Sequence, residues 1–571
     1  MLPVRIRYAT PNMEDHSQTN EHNEERNKEE THEESPELTS VSIPVSKYTE
    51  ALIERWQKNQ IRKSVSSNKI SVSQTVSFAA FLYEKMRNAV EFREEHLIRR
   101  ATIERIIKRR LILNGNGRDI AEPLIKELLW ARYYENNTIG EEKISEVQSI
   151  IDKYFFLRNE LARGRKGAEH DKIANFMLEV MSCEIEENLS PDYRREAFTN
   201  YVYQQLRQHI GQFDDTEMSR DTQVYIAVEK TFAHSDLPLI RYHLLKLYLP
   251  EIVNITWKTA DKMLPQLYDI YTQIENDLKH IFGDKIRNKI KKQIAPYLIM
   301  RDIFEQNLAS IKSIMTDEAK LKFKVDQACR KRYDESRSRL SRTAIRSFIY
   351  ILLTKVIFAF IIEIPYDLYL IKEISYIPML INVIFPPILM TLIIMTVTIP
   401  GDDNTRRIYI LISEIISTDP DSKSVKPFLL SGVKHKSRSL VFTTLFSSLY
   451  LFTYLFSFGS IIYILTRLSF NPVSQAIFIF FVTLVTFFAF KVIQITQEYS
   501  VVEKEGFFTP LTDFIFLPII RVGQWLSGEV LARFNVLIFV FDFIIEMPFK
   551  AIVEVFDEWV HFVRLKKEEI V

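Results

Sequence analysis

The stretch ISYIPMLINVIFPPILMTLIIMTVTIPG, Ile374 to Gly401, runs for 28 residues without an Asp, Glu, Lys or Arg. About 20 apolar residues cross a hydrocarbon core of ~30 Å, so this stretch reads as a membrane-spanning helix. Two more charge-free runs follow, Ser439 to Thr466 and Leu468 to Phe490. They set three spans, near 377–399, 440–465 and 472–493. A further apolar segment precedes them, SFIYILLTKVIFAFII, Ser347 to Ile362, with Lys355 near its middle. A central Lys costs about 2.5–3.5 kcal/mol, while each Leu, Ile, Phe or Val returns roughly 0.3–0.6. Its apolar neighbours offset Lys355, which makes this the first of four spans.

The segment NVLIFVFDFIIEMPFKAIVEVF, Asn535 to Phe556, reads differently. Asp542, Glu546, Lys550 and Glu554 together cost about 10 kcal/mol at central depth. Their i, i+4 spacing draws one polar stripe on a helix with a wide apolar face. That pattern predicts an amphipathic helix, either at the membrane interface or packed on the bundle. Two such segments, around 510–526 and 536–564, are expected along the cytoplasmic face, with Arg521, Trp525 and Trp559 at headgroup depth.

Basic residues alternate between the connecting segments. Seven Lys or Arg precede the first span between Arg330 and Arg346, and seven lie between Arg406 and Arg438. The other two connections carry only Lys372 and Arg467. Lys and Arg accumulate on the cytoplasmic side, so both termini are expected there, in a plasma-membrane protein. The N-terminus, MLPVRIRYATPNMEDHSQ, has no apolar core of a secretory signal.

The first 340 residues are highly charged. Residues 1–45 are acid-rich and predict a disordered tail. From 46 to 340 the spacing is helical: Met86, Val90, Leu97 and Ala101 share a face, and Pro123 opens a helix carrying Leu124, Leu128 and Leu129. The fold class is therefore all-α. It comprises a large helical cytoplasmic domain (46–340), transmembrane helices 1 and 2 (345–400), a loop with a short helix (401–438), transmembrane helices 3 and 4 (439–494), and amphipathic helices with a basic C-terminus (505–571).

Composition narrows the chemistry. Lys and Arg number 74 against 73 Asp and Glu, a net charge of +1, which argues against nucleic acid as a partner. The region Lys85 to Arg110 nonetheless holds nine Lys or Arg against four Asp or Glu. Arg99, Arg100, Arg105, Lys108, Arg109 and Arg110 at its end offer an anion or lipid-headgroup contact. Basic residues at a helix C-terminus also complement the helix dipole, and that reading is preferred. Cys183 and Cys329 make no disulfide framework. Only 13 residues are Gly, few for phosphate-cradling loops, and no HExxH or GxSxG occurs. No cofactor, metal or catalytic constellation is expected, so the chain reads as non-enzymatic.

The remaining candidate lies inside the bilayer. Lys355 sits about 13 Å past Arg346 along a helix. The second span meets Pro386-Pro387 at a similar depth, and these prolines free the carbonyls of Asn382 and Val383. An ionisable residue in a span needs a partner. Lys355 is expected to find the freed carbonyls or the Asn382 side chain, with Glu363, eight residues along the same helix, too far away. This polar centre either lines a solute or ion path in an oligomer or only shapes a kinked bundle.

The segments FREEHLIRRATIERIIKRR (92–110), AEPLIKELLWARYY (121–134), TKVIFAFIIEIPYDLY (354–369), NVIFPPILM (382–390) and DFIIEMPFK (542–550) resemble an uncharacterised family of multi-pass bacterial membrane proteins. That resemblance implies a membrane protein and assigns no reaction or ligand. The reading that follows is a membrane-anchored scaffold or envelope organiser working through its cytoplasmic domain. Its expected partners are the lipid bilayer, other membrane or cytoplasmic proteins, and a second copy of itself. The alternative is an oligomeric transporter or channel subunit built around Lys355 and Asn382.

Overall fold

The computed structural model describes residues 42–58, 68–74, 95–114, 117–211, 217–372, 376–395, 399–420, 440–501 and 509–527, with isolated positions elsewhere. Residues 1–41 of the expected acidic tail and nearly all of 535–556 lie outside the described residues, whereas 42–45 are ordered, with the Ile43 amide donating to the Thr316 carbonyl at 2.9 Å. Among the described residues the chain is helical, with two isolated bridges, Ser42 to Asp317 and Lys69 to Gly140, and no strand.

Among the described residues up to Thr316, twelve helices build the domain. They are α1 (Lys47–Lys58), α2 (Glu95–Asn114), α3 (Ala121–Trp130), α4 (Glu142–Ala162), α5 (Ala168–Leu189), α6 (Tyr193–Arg207), α7 (Glu217–Thr231), α8 (Leu237–Tyr248), α9 (Leu264–Leu278), α10 (Gly283–Lys291), α11 (Ala295–Gln306) and α12 (Ile311–Thr316). Local chemistry sets several starts. Asp192 caps α6 by accepting from the Arg195 amide, and Asp236 caps α8 by accepting from the Leu239 amide. Apolar faces then sort into two cores. One joins α2, α3, α4, α5, α8 and α9 around Ile106, Leu128, Ile151 and Met177. The other joins α1, α6, α7, α10, α11 and α12 around Trp56, Phe198, Phe232 and Phe304.

Next comes α13 (Glu318–Phe358), 41 residues long, capped by Asp317. Its first turns bury Leu321, Val325 and Cys329 in the second core, and its end is the first apolar span. Pro365 has no amide to donate. The helix absorbs it with π-helical turns on either side, Ala359–Glu363 and Asp367–Ile371, and closes at Lys372 with φ of 65°. The remaining helices are α14 (Tyr376–Met395), α15 (Asp402–Ser417), α16 (Leu440–Arg467), α17 (Pro472–Thr496) and α18 (Thr509–Trp525). Among the described residues, four helices are long and apolar enough to cross a membrane: the end of α13, and α14, α16 and α17. In the bundle α14 packs between α13 and α17.

Two findings alter the domain plan read from sequence. The helix between spans two and three does not stand apart as a loop. Ile408, Ile412 and Ile416 of α15, spaced by four, are buried in the second core, as is Tyr499 just past α17. The domain is thus assembled from three separate stretches of chain. The second finding concerns α18, which packs on α16 and α17. A Cβ at Gly523 would collide with the Thr483 carbonyl oxygen, near the middle of α17. This close approach draws the helix alongside the spans and leaves its neighbours Arg521 and Trp525 exposed beside them.

Candidate functional site

Lys355 in α13 is 1% exposed, and its ammonium donates to Asn382 Oδ1 of α14 at 2.6 Å. It also lies 4.1 Å from the centre of the Phe481 ring of α17, where the π-face favours a cation. The other side of the Asn382 amide donates to Glu363 Oε1 and to the Ser474 carbonyl oxygen, the latter at 3.3 Å. Two opposite charges therefore fix the amide orientation, oxygen to the cation and nitrogen to the carboxylate. Lys355 and Glu363 make no direct ion pair among the described residues, yet Asn382 joins them into one network. Glu363 enters it from the π-helical turn that precedes Pro365. Its second oxygen, Oε2, is buried without a hydrogen-bond partner among the described residues.

A second polar contact lies further along. Asp367 is 4% exposed and accepts from Asn471 Nδ2 at 2.8 Å, while Asn471 Oδ1 also caps α17 through the Ser474 amide. The network thus connects α13, α14 and α17, with Pro386 and Pro387 buried in the same bundle.

The basic end of α2 is engaged inside the domain. Arg99 pairs with Glu186 at 2.8 Å, and Arg100 with Glu104 at 2.6 Å and Asp236 at 3.0 Å. Arg105 pairs with Glu84 at 2.8 Å, and Lys108 with Glu104 at 2.6 Å. Glu127 accepts from both Arg109 and Arg110. Four of these five carboxylates come from outside α2, which is why the sequence shows the cations and hides their partners. Arg521, Gln524 and Trp525 of α18 line an open hollow of about 440 Å³ with Tyr454. Trp559 is exposed.

A larger cavity, about 950 Å³, opens between α2, α5, α6, α7 and α8. One face of α6 supplies Arg195, Thr199 and Tyr203 at i, i+4 and i+8, while Phe198, Val202 and Leu206 face the second core. Opposite stand Glu229 of α7 and His243 of α8, 3.1 Å apart through Nδ1. Burial pushes the Glu229 carboxyl up, but His243, Ser235 and Arg195 outweigh it and hold the group at about 2. Burial, with the Arg195 and Arg99 charges, pushes His96 down to about 2. Three of the wall's cations are neutralised from within: Arg99 by Glu186, Lys246 by Glu187 at 2.7 Å, and Arg207 by Asp221 at 3.1 Å. Arg195 differs, donating at 3.1 Å to the neutral Ser235 hydroxyl. Thr199 is 4% exposed, and its Oγ1 has no hydrogen-bond partner among the described residues.

His234 and His243, nine residues apart, define no shared site in the sequence. The fold gives each a carboxylate: His243 meets Glu229, and His234 meets Glu498, just past α17, at 3.1 Å. The stripe on α6 was the one legible sign of the cavity.

The described residues define an all-helical fold with four helices long and apolar enough to cross a membrane. Comparisons with models of protein families, with curated proteins and with solved structures found no match.

Proposed function

We propose that this chain is a non-enzymatic anchor of the cell membrane, with both termini and its helical domain in the cytoplasm. The domain offers other proteins a surface held in fixed attitude to the bilayer. The observation that carries this reading is the shared core. One helix, α13, leads from the domain core into the first span, and α15 and Tyr499 return to that core after spans two and four. A load on the domain is therefore shared among several spans. Arg332 strengthens the joint by gripping Asp302 of α11 and stacking on the Tyr499 ring at 5.4 Å.

Cross-linking in native membranes, followed by purification of the full chain, tests the reading. Defined protein partners cross-linked to residues of the domain are expected. Recovery of lipid alone contradicts it.

A second reading, a transporter subunit, draws support from one observation, the unpartnered Oε2 of Glu363 within the bundle. Buried ionisable groups of this kind mark ion and proton paths in other membrane proteins. Proteoliposomes distinguish the readings. The anchor predicts no cation or proton flux, whereas a flux abolished by Glu363→Gln establishes the transporter.

A further inference from the structure

We propose that the cavity between α2, α5, α6, α7 and α8 is a binding site for a small organic anion, a carboxylate or phosphate ester with an apolar portion. Arg195 supplies its charge partner and Thr199 a hydroxyl. The inference does not depend on the anchor reading.

Size is the first argument. At about 950 Å³ the cavity lies at the upper end of the range for small-molecule sites. Charge accounting is the second. The Arg99, Lys246 and Arg207 pairs use their carboxylates, and Glu229, which Arg195 attracts without a hydrogen bond, is bonded by His243 and by Ser235 at 2.5 Å. Asp192 caps its own helix, and Glu196 is exposed. Arg195 is left with a neutral oxygen as its hydrogen-bond partner. A guanidinium has five donors in a planar fork that matches a carboxylate or phosphate.

The third argument is the Thr199 hydroxyl, one helical turn along the same face, buried and without a partner. A buried polar atom left unsatisfied is costly, and a rotation of the Thr199 side chain that turns this hydroxyl into the cavity would bring it to an oxyanion held by Arg195. The apolar part of the ligand has a matching wall. The Tyr203 ring stands edge-on to Tyr225 at 5.7 Å, and Leu239 and Leu247 also line the cavity.

The test uses the purified full chain in detergent, titrated with inorganic phosphate and separately with benzoate at constant ionic strength. Both probes are expected to bind wild type. Arg195→Gln should weaken both by about tenfold or more, the loss of a charge-assisted hydrogen bond. Tyr203→Ala should weaken benzoate and leave phosphate unchanged. Arg194→Gln, whose parent side chain lies over the Trp56 ring instead, should bind both probes as wild type does. Each variant's unfolding temperature without ligand verifies that it is folded. The proposal is overturned if neither probe binds wild type in the millimolar range, or if Arg195→Gln binds both like wild type. Equal weakening by Arg194→Gln and Arg195→Gln also overturns it, because that marks a diffuse surface effect.

Discussion

Lys153 in the helical domain and Lys355 in the bundle are sealed alike, each 1% exposed, yet the two regions satisfy them differently. Lys153 meets Glu184 directly at 2.5 Å and the Ile252 carbonyl at 2.8 Å, while Tyr154 donates to the other carboxylate oxygen at 2.7 Å. Burial pushes the Lys153 ammonium down against the pull of Glu184, and burial likewise raises the Glu184 carboxyl. The pair is compact and closed by its neighbours. In the bundle the ammonium reaches a carboxylate only through the Asn382 amide, across two helices. A domain rich in polar side chains can close a buried charge on the spot. An apolar bundle has few such groups and spreads the same task over helices, using the amide as a bridge.

Substitutions can break or sharpen this contrast. The largest effect is expected from removing either lysine. Lys153→Met and Lys355→Met should each cost about 3–5 kcal/mol, because each strands a buried carboxylate. Thermal unfolding in detergent measures this, and a near-neutral Lys355→Met would erase the parallel. Adding Glu363→Gln to Lys355→Met should restore much of the loss by removing the stranded charge.

The coupling between partners comes next. A double-mutant cycle should give Lys153 and Glu184 roughly 1–3 kcal/mol, as for groups in contact. Lys355 and Glu363 should give less, since Asn382 stands between them. Equal coupling would mean the bridge transmits as well as a contact.

Gly523→Ala should cost about 1–3 kcal/mol, since the new methyl meets the Thr483 carbonyl and backbones must separate. A smaller effect follows from His96. The folded chain holds it neutral down to about 2, while the unfolded chain protonates near 6.5. Its contribution is complete above pH 6.5 and is lost as pH falls below it, by at most about 1.4 kcal/mol per pH unit. His96→Asn should flatten stability between pH 6.5 and 4.5. The smallest effect is at the surface: Lys58→Ala, breaking an exposed pair with Glu54 at 3.7 Å, should change stability by about 0.5 kcal/mol or less.

The parts of the fold carried by local pattern were readable in the sequence. Charge-free runs located three of the four membrane-capable helices among the described residues, and the apolar segment around Lys355 located the fourth, because solvent preference is a property of a contiguous segment. Ile408, Ile412 and Ile416 are spaced for a buried face, but spacing alone does not tell which surface covers it, and that surface includes α11 and α13, far earlier in the chain. The same limit hid the carboxylates that neutralise Arg99 to Arg110. The candidate sites were less legible still. Lys355 and Asn382 stood out as polar residues in apolar runs, whereas Glu363 enters through π-helical turns that straight-helix counting does not anticipate. The cavity needs five helices to close, and only the Arg195, Thr199 and Tyr203 stripe lies within one of them.

The account rests on α13, α14, α16 and α17 crossing a bilayer, with the domain on one face and the Lys372 and Arg467 connections on the other. Both native cysteines are buried, so single cysteines introduced as Lys372→Cys, Arg467→Cys and Lys262→Cys report cleanly in sealed membrane vesicles of one orientation. A membrane-impermeant maleimide should label Lys372→Cys and Arg467→Cys from one side, and Lys262→Cys only from the other. Labelling of all three from the same side of the intact vesicle would contradict it.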